Sequence, residues 1–368
     1  MAGTKARWRD AGWRAMATAL LFLAAPAMAQ RVEGDRAQAR GAYQAEVSVR
    51  GQGEGERKAG FSRALAEVLA KVTGDRGVAS RPGVEDALRQ AERYVDGFDY
   101  RQDEGMSATT GAPTYGTTLI VRFEPAAVDD FIGALGLPVW PQPRPKPVLW
   151  LAIDDGSGPR LVGVAQADAA RSVLDRALER GYRLGLPGGS AAEQAAVGAI
   201  WRGDAAAIAR LSARYSPPMQ LVGKLYRSGG GWAADWIFVD HGRVLDRWTS
   251  QDRNARRAMA AGADGAADAL ARRYAKAEPI GEPGRYRVAF TGLEDARDYM
   301  RLVAWLRDAP VVQDATPLLA SPGRLELELQ LATGMPGLMR VLDEELLEPV
   351  GVVGPGAEPG ATPSFRVR

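Results

Sequence analysis

The sequence predicts an α+β protein built from three small mixed α/β units in series. Apolar and polar residues alternate in stretches such as 43–49, a pattern typical of half-buried strands. Apolar residues recur every three or four positions in stretches such as 61–72, which is typical of amphipathic helices. Prolines at positions 141, 143, 145 and 147 and a second break at 279–284 separate these elements into three groups.

The breaks divide the chain as follows: a signal peptide (1–29), a flexible start (30–40), an N-terminal α+β unit (41–139), a proline-rich spacer (140–147), a middle α/β unit (148–278), a third unit (284–354) and a disordered tail (355–368). Alternate prolines remove backbone donors and disfavour helix, so we expect the spacer to be extended and semi-rigid. We expect Trp140 and Trp150, which flank it, to pack the first two units together.

The first segment has the three-part pattern of a secretory signal peptide. Four basic residues within the first 14 precede an apolar run at 15–25, and the small-residue site Ala27-Met28-Ala29 follows. The apolar run is shorter than the ~20 residues that span a bilayer. We therefore expect cleavage after Ala29 and an exported, periplasmic protein of a Gram-negative cell, with no transmembrane segment in the mature chain.

The composition excludes several kinds of site. The chain has no cysteine, which removes disulfides, thiolate metal sites, a thiol nucleophile and lipid attachment at a cysteine. It has 47 basic and 45 acidic residues, and four of the basic ones lie in the signal peptide, so no basic footprint indicates nucleic acid. The glycines at 51, 53 and 55 lack the third glycine of a dinucleotide fingerprint. We expect no cofactor.

The middle unit is predicted to contain a central sheet. The continuous apolar run at 148–153 is typical of a buried strand. Residues 219–226, 232–239 and 243–249 predict a three-stranded meander, and a long helix with an apolar stripe follows it. Ser190-Ala-Ala-Glu193 is a capping box that predicts the start of another helix.

The third unit is predicted to have a ferredoxin-like βαββαβ order. Strands are predicted at 286–290, near Val311, at 325–331 and near Val350, with helices at 299–306 and 338–342. One sheet face carries alternating charges, Arg285 and Arg287 opposite Glu326 and Glu328. An RNA-binding sheet would carry stacking aromatic residues there, so this charged face argues against nucleic acid.

Several stretches carry a family resemblance: Tyr43-Gln-Ala-Glu-Val47, the helix at 64–76, Val121-Arg-Phe-Glu-Pro125, Gly136-Leu-Pro-Val-Trp140 and Leu149-Trp-Leu-Ala152. Over about 41–184 the chain resembles an uncharacterised family of exported proteobacterial proteins, the domain of unknown function DUF2066. The resemblance implies an envelope location and supplies no catalytic residues. Through Leu221-Val-Gly-Lys-Leu225, the middle unit also resembles periplasmic scaffold domains such as the N-terminal domain of the Tol translocation protein.

Two sets of residues are candidates for a site. Asp154 and Asp155 end the predicted central strand, where two carboxylates can hold Mg²⁺ or Ca²⁺, although Asp-Gly-Ser-Gly-Pro is equally typical of a turn. Trp232 and Trp236 fall on one face of their strand, and Trp248 lies on the next strand. Such an aromatic row stacks sugars, anchors a partner or forms the core under a helix.

We therefore expect a soluble, non-enzymatic binding or scaffold protein of the envelope with a protein partner. The alternative is a metal-dependent hydrolase that acts on cell-wall material through Asp154 and Asp155. A third hypothesis is glycan binding by exposed tryptophans, with Trp232 and Trp236 as the stacking residues.

Overall fold

The computed structural model describes residues 36–37, 41–106, 112–277, 280–350 and 362–368. The strands form several small sheets, and helices alternate with them along the chain, which confirms the predicted α+β class. The predicted signal peptide at 1–29 lies outside the described residues. In the part of the chain that the structure describes, no helix has both the length and the apolar character needed to cross a membrane.

The first unit is a three-stranded antiparallel sheet covered by helices. Its elements are β1 (Arg36–Ala37), β2 (Gln44–Val49), α1 (Glu54–Thr73), α2 (Val84–Arg89), β3 (Val95–Met106), β4 (Pro113–Phe123) and α3 (Pro125–Ala134). β4 lies between β2 and β3. The apolar stripe of α1 is buried, as its spacing predicts. The helix ends at Gly74, whose left-handed φ of 76° lets its N–H donate to the carbonyl of Ala70.

The middle unit is a five-stranded mixed sheet with helices on both faces. Its elements are β5 (Arg144–Pro145), β6 (Val148–Asp154), β7 (Arg160–Val162), α4 (Arg171–Glu179), α5 (Ala191–Gln194), α6 (Val197–Arg202), α7 (Ala205–Leu211), β8 (Met219–Ser228), β9 (Gly231–Asp240), β10 (Arg243–Asp252) and α8 (Ala255–Tyr274). The strand order is β10-β9-β8-β6-β7. α4 and α8 pack on one face, while α6 and α7 pack on the other. The predicted buried strand and meander are confirmed.

The third unit contains β11 (Gly284–Leu293), α9 (Ala296–Asp308), β12 (Val312–Ser321), β13 (Gly323–Leu331), α10 (Gly334–Arg340), β14 (Leu347–Val350) and β15 (Ser364–Val367). The predicted βαββαβ order is present from β11 to β14. The predicted cross-strand pairs are also present, since Arg285 and Arg287 contact Glu328 and Glu326 at 3.3 and 2.5 Å.

The prediction of a disordered tail at 355–368 is wrong for its last residues. β15 lies between β11 and β14, parallel to the first and antiparallel to the second. Phe365 is fully buried and stacks on Phe290 with ring centroids 5.8 Å apart. A strand of four residues offers too short a pattern to be recognised in a sequence, so its place in the sheet depends on contacts with the distant β11.

The first and third units share one apolar cluster, although the whole middle unit separates them along the chain. The hydroxyl of Thr333 donates to the carbonyl of Ala134 at 3.1 Å, and Arg93 lies 3.6 Å from Asp308. The three units therefore follow one another in sequence, but the last packs back against the first.

The proline-rich spacer at 140–147 is partly buried: residues 141–143 are exposed, whereas 140, 144, 145 and 147 are buried in the joint between the first two units. Arg144 is 1% exposed, and its guanidinium donates to the carbonyls of Gly181, Lys71 and Trp140 at 2.8, 2.7 and 3.0 Å. The guanidinium also lies 4.0 Å from the centroid of the Trp140 ring. Burial lowers the pKa of Arg144 to about 10, so the side chain remains a cation at neutral pH.

A second buried arginine holds the same two units together. Arg180 is 4% exposed and donates to Asp264 at 2.9 Å, to Asp268 at 2.8 Å and to the carbonyl of Gly74 at 3.2 Å. Gly74 also contacts α8 closely, because a Cβ there would lie 2.5 Å from the Cβ of Ala271. Arg144 and Arg180 therefore both bond to the C-terminal end of α1, at the carbonyls of Lys71 and Gly74.

The predictions for the flexible start at 30–40 and for Trp140 and Trp150 compare differently with the structure. Within 30–40, Arg36 and Ala37 pair with β5, so this part of the segment is a short strand. Trp140 lies in the joint as expected, and its backbone N–H donates to the carbonyl of Val72 at 2.8 Å. The expectation for Trp150 is wrong. Its ring faces α6 and α7, where its Nε1 donates to Ser212 at 2.8 Å.

The predicted capping box is present, and its glutamate is the centre of a buried cluster. The backbone N–H and the hydroxyl of Ser190 donate to the Glu193 carboxylate, as does the Tyr215 hydroxyl, at 2.5–2.9 Å. Arg214 forms an ion pair with the same carboxylate. Burial raises the pKa of Glu193, but these hydrogen bonds outweigh burial and hold it at about 2.

Glu193→Gln is expected to remove an acid-dependent part of the stability. Because the folded pKa is about 2 against an ordinary 4.5, the carboxylate contributes fully above about pH 4.5 and loses its contribution as the pH falls towards 2. The full effect is up to about 3 kcal/mol. Urea unfolding from pH 7 to pH 3 measures it. Glu193→Gln should have a lower free energy of unfolding than the parent at pH 7, and this free energy should depend less on pH. Glu345→Gln, at an exposed turn, should have the same free energy of unfolding as the parent at each pH. Parallel pH curves for parent and Glu193→Gln would contradict this assignment.

Candidate binding cleft in the middle unit

The strands β8, β9 and β10 form the floor of an open cleft of about 350 Å³ on the face that carries α6 and α7. The strand register places six side chains on this floor in two rows across the strands: Val222, Ile237 and Arg247, then Lys224, Asp235 and Thr249. Directly opposed residues of neighbouring strands lie about 4.5–5.5 Å apart, so each row is continuous. One row is mainly apolar and the other is polar.

The polar row is connected by hydrogen bonds around Asp235. The Lys224 ammonium lies 3.2 Å from Asp235 Oδ2, and the Thr249 hydroxyl donates to Oδ1 at 2.9 Å. Tyr226 donates to the same carboxylate at 3.4 Å. About a third of the Lys224 and Asp235 side chains is exposed, at 29% and 33%. The row therefore presents both donors and an acceptor to whatever enters the cleft.

The rim of the cleft is set by the close approach of the α6–α7 turn to the sheet. α6 ends at Gly203, which has a left-handed φ of 67°. This φ favours glycine, and a Cβ at this position would lie 2.8 Å from Cδ1 of Ile237, so the turn lies close to the floor. The turn brings the half-buried Trp201 and the exposed Arg202 to the edge of the cleft. The Lys224 ammonium lies 5.8 Å from the centroid of the Trp201 ring.

The cleft has an excess of positive charge. Lys224 is paired with Asp235, but Arg202 and Arg247 are exposed and pair with no carboxylate among the described residues. An apolar floor, one aromatic ring at the rim and a few convergent polar groups are the usual composition of a ligand site. The arrangement suits a ligand that carries negative charge.

The predicted aromatic row lies on the opposite face of the sheet. Trp236 is 1% exposed, and its ring stacks on Trp248 with centroids 6.5 Å apart and planes 17° apart. Their indole N–H groups donate to Ser250 and to the carbonyl of Ala261, each at 3.2 Å. Since a buried indole cannot stack on a sugar, Trp236 is not the glycan-binding residue of the third hypothesis. It belongs to the core under α8.

Glycines make the space that this indole pair occupies. A Cβ at Gly223 or Gly262 would lie 2.2 or 2.4 Å from the Trp236 ring, and one at Gly265 would lie 2.3 Å from the Trp248 ring. The third candidate, Trp232, is half-buried at the start of β9, with the Arg227 guanidinium 4.0 Å from its ring centroid. Of the three predicted tryptophans, Trp236 is therefore structural, Trp248 packs against it, and the ring of Trp232 carries the Arg227 side chain.

Asp154 and Asp155 form a turn, as their sequence context allowed. Asp154 Oδ1 accepts from the N–H groups of Gly156 and Gly158 at 2.8 and 3.1 Å. Asp155 accepts from both donors of Ser157, which lower its pKa, and it pairs with Arg160 at 2.8 Å. Across the described residues, no cluster of three or more His, Asp or Glu is placed to hold a metal ion. Among the described residues, no third acidic side chain joins these two carboxylates as a ligand.

The residues of the cleft were missed in the sequence because the signal for them is weak. Lys224 and Asp235 occupy the positions of their strands that alternate with buried residues, which is usual for solvent-facing residues. Trp201-Arg202-Gly203 marks the end of a helix, and nothing local shows that this end lies over the sheet. The bulky Trp201, two residues before the terminal Gly203, is the only clue.

Comparison with known families gives one match. Residues 37–141 match a family model described as Domain of unknown function (DUF8605). The matched segment covers the first unit and ends directly after Trp140 in the joint. An uncharacterised family thus fits this part of the chain, but it is not the DUF2066 family that the motifs suggested. Neither the curated proteins nor the solved structures give a match.

Proposed function

We propose that the protein is an exported, non-enzymatic binding and scaffold protein of the cell envelope, and that the middle-unit cleft holds an envelope component. The observation that carries the proposal is the cleft itself. It combines an apolar floor, the rim residue Trp201 and two arginines without carboxylate partners, Arg202 and Arg247, in the described part of the chain. The envelope location rests on the signal-peptide pattern at 1–29.

The buried joint supports the scaffold part of this proposal. Arg144 and Arg180 connect the first and middle units through buried hydrogen bonds, and the third unit shares an apolar cluster with the first. A shared apolar cluster restricts motion between the first and third units, and moving the middle unit away from the first would leave buried polar groups unpaired. A component in the cleft would therefore be held in a defined orientation relative to the surfaces of the other two units, where a protein partner would bind.

The test is retention of envelope material by the immobilised chain from Gln30 onward. We expect the parent to enrich a specific component from envelope extracts, identified by mass spectrometry and carbohydrate analysis. The double variant Trp201→Ala/Arg247→Gln should retain about a tenth or less, because it removes the aromatic rim and one charge-assisted contact.

Arg243→Gln is the matched control for this test. Arg243 is also an exposed arginine of β10, but it lies outside the cleft. The control should retain as much material as the parent. Equal retention by the double variant, or no component enriched over an unrelated carrier protein, would contradict the proposed function.

A further inference from the structure

We propose that the ligand of the middle-unit cleft is an acidic saccharide, with its carboxylate at Arg247 and a sugar ring against Trp201. The inference rests on the proposed binding function and names the chemical class of its ligand. It moves the site of glycan binding from Trp236, which is buried, to Trp201, which lies half-buried at the rim on the other face of the sheet.

The polar row matches the hydroxyl groups of a sugar. A sugar hydroxyl both donates and accepts, and the row offers an ammonium donor, a carboxylate acceptor and a hydroxyl at Lys224, Asp235 and Thr249. These three groups already bond to one another and remain partly exposed, so they are held in place before a ligand arrives. Such preorganisation lowers the entropic cost of binding.

The apolar groups match the C–H faces of a sugar ring. Trp201 supplies the indole at the rim, while Val222 and Ile237 in the floor are almost covered, at 3% and 8% exposed, so the indole is the main apolar contact for a ligand. An indole presents a large apolar face at a small cost in side-chain entropy. The volume of about 350 Å³ is at the small end of ligand pockets, which favours a short saccharide segment.

The charges select a carboxylate. Arg247 stands in line with Val222 and Ile237 across the strands and has no carboxylate partner among the described residues. A guanidinium binds a carboxylate through two parallel hydrogen bonds. A phosphate-rich ligand such as a nucleotide fits less well, because its higher charge would meet the Asp235 carboxylate in the adjacent row. A saccharide that places its one carboxylate at Arg247 and its hydroxyl groups at Asp235 avoids that repulsion.

Calorimetry with defined saccharides tests the inference on the chain from Gln30 onward. The probes are tetragalacturonic acid, its fully methyl-esterified form, which has the same rings without charge, and tricarballylate, which has carboxylates without a ring. We expect the acid to bind at least about tenfold more tightly than the ester or tricarballylate, because only the acid offers both a carboxylate for Arg247 and a ring for Trp201.

Single variants assign the contacts. Arg247→Gln should lower the affinity for the acid to that for the ester, and Trp201→Ala should weaken both, with Trp201→Phe restoring part of the loss. Arg243→Gln should bind as the parent does. Thermal melting confirms that each variant is folded, and these partly exposed positions should change the melting temperature little.

Three outcomes would overturn the inference: equal affinity for the acid and the ester, tricarballylate binding as tightly as the acid, or no binding of the acid at millimolar concentration. If one of them occurs while envelope material is still retained by the parent and lost from the double variant, the proposed binding function stands and only the ligand class is wrong. If the acid fails this test and the retention of envelope material also fails to depend on Trp201 and Arg247, the cleft is not a binding site.

Discussion

Trp236→Ala is expected to destabilise the protein by about 3–5 kcal/mol, the range for removing a buried aromatic side chain. Its indole is 1% exposed and stacks on Trp248. It fills a slot bounded by Gly223 and Gly262, positions where even a Cβ would overlap the ring. Gly223 lies within β8 and Gly262 within α8, so the hydrogen bonds of the strand and the helix oppose collapse into the space that the indole would leave. Urea unfolding followed by far-UV circular dichroism measures the loss.

Trp201→Ala is the matched control, since it makes the same chemical change on the other face of the same sheet. Trp201 is half-buried at the rim of the cleft, so its removal should cost about 1 kcal/mol or less. If Trp201→Ala were as damaging as Trp236→Ala, the rim would be part of the core, and the assignment of the cleft as a ligand site would lose its main support.

Arg144→Ala is expected to cost about 3–5 kcal/mol and to loosen the joint between the first and middle units. The substitution leaves three buried carbonyl groups without their shared donor, those of Lys71, Trp140 and Gly181. A buried acceptor left unpaired costs ~1–3 kcal/mol. It also removes the cation that lies on the Trp140 ring. Urea unfolding and amide hydrogen exchange at the end of α1 should both report the change.

The comparison for Arg144 is Arg171→Ala. Arg171 forms an exposed ion pair with Asp168, with side chains 68% and 88% exposed, so its loss should change stability by less than about 1 kcal/mol. The stability lost in Arg144→Lys should lie between the losses in Arg171→Ala and Arg144→Ala, because an ammonium cannot reproduce the planar fork of the guanidinium. A stable Arg144→Ala variant with unchanged exchange in α1 would show that the joint does not depend on this side chain.

Local patterns in the sequence predicted those parts of the fold that depend on local physics. The apolar stripe of α1, the buried run of β6 and the alternating strand β13 all follow from side-chain periodicity, and all three are present. The capping box at Ser190 and Glu193 is likewise a short-range arrangement. These features need no knowledge of which elements pack together.

The features that were missed depend on contacts between distant segments. Strand alternation placed Trp236 on one face but did not show which face α8 covers, so core and binding surface remained alternatives. Arg144 lies between prolines, a context typical of an exposed spacer, and its burial depends on acceptors at Lys71 and Gly181. The cleft forms where the end of α6 meets strands β8 to β10, which no single stretch of sequence encodes.

A ¹H–¹⁵N spectrum of the tryptophan indoles, recorded while the protein is titrated with the envelope material that it retains, tests directly whether the middle-unit cleft binds that material. We expect the Trp201 signal to shift or broaden, because its ring lies at the rim of the cleft, while the signals of Trp236 and Trp248 stay in place on the other face of the sheet. Shifts at Trp232, Trp236 or Trp248 with an unchanged Trp201 signal would contradict this expectation.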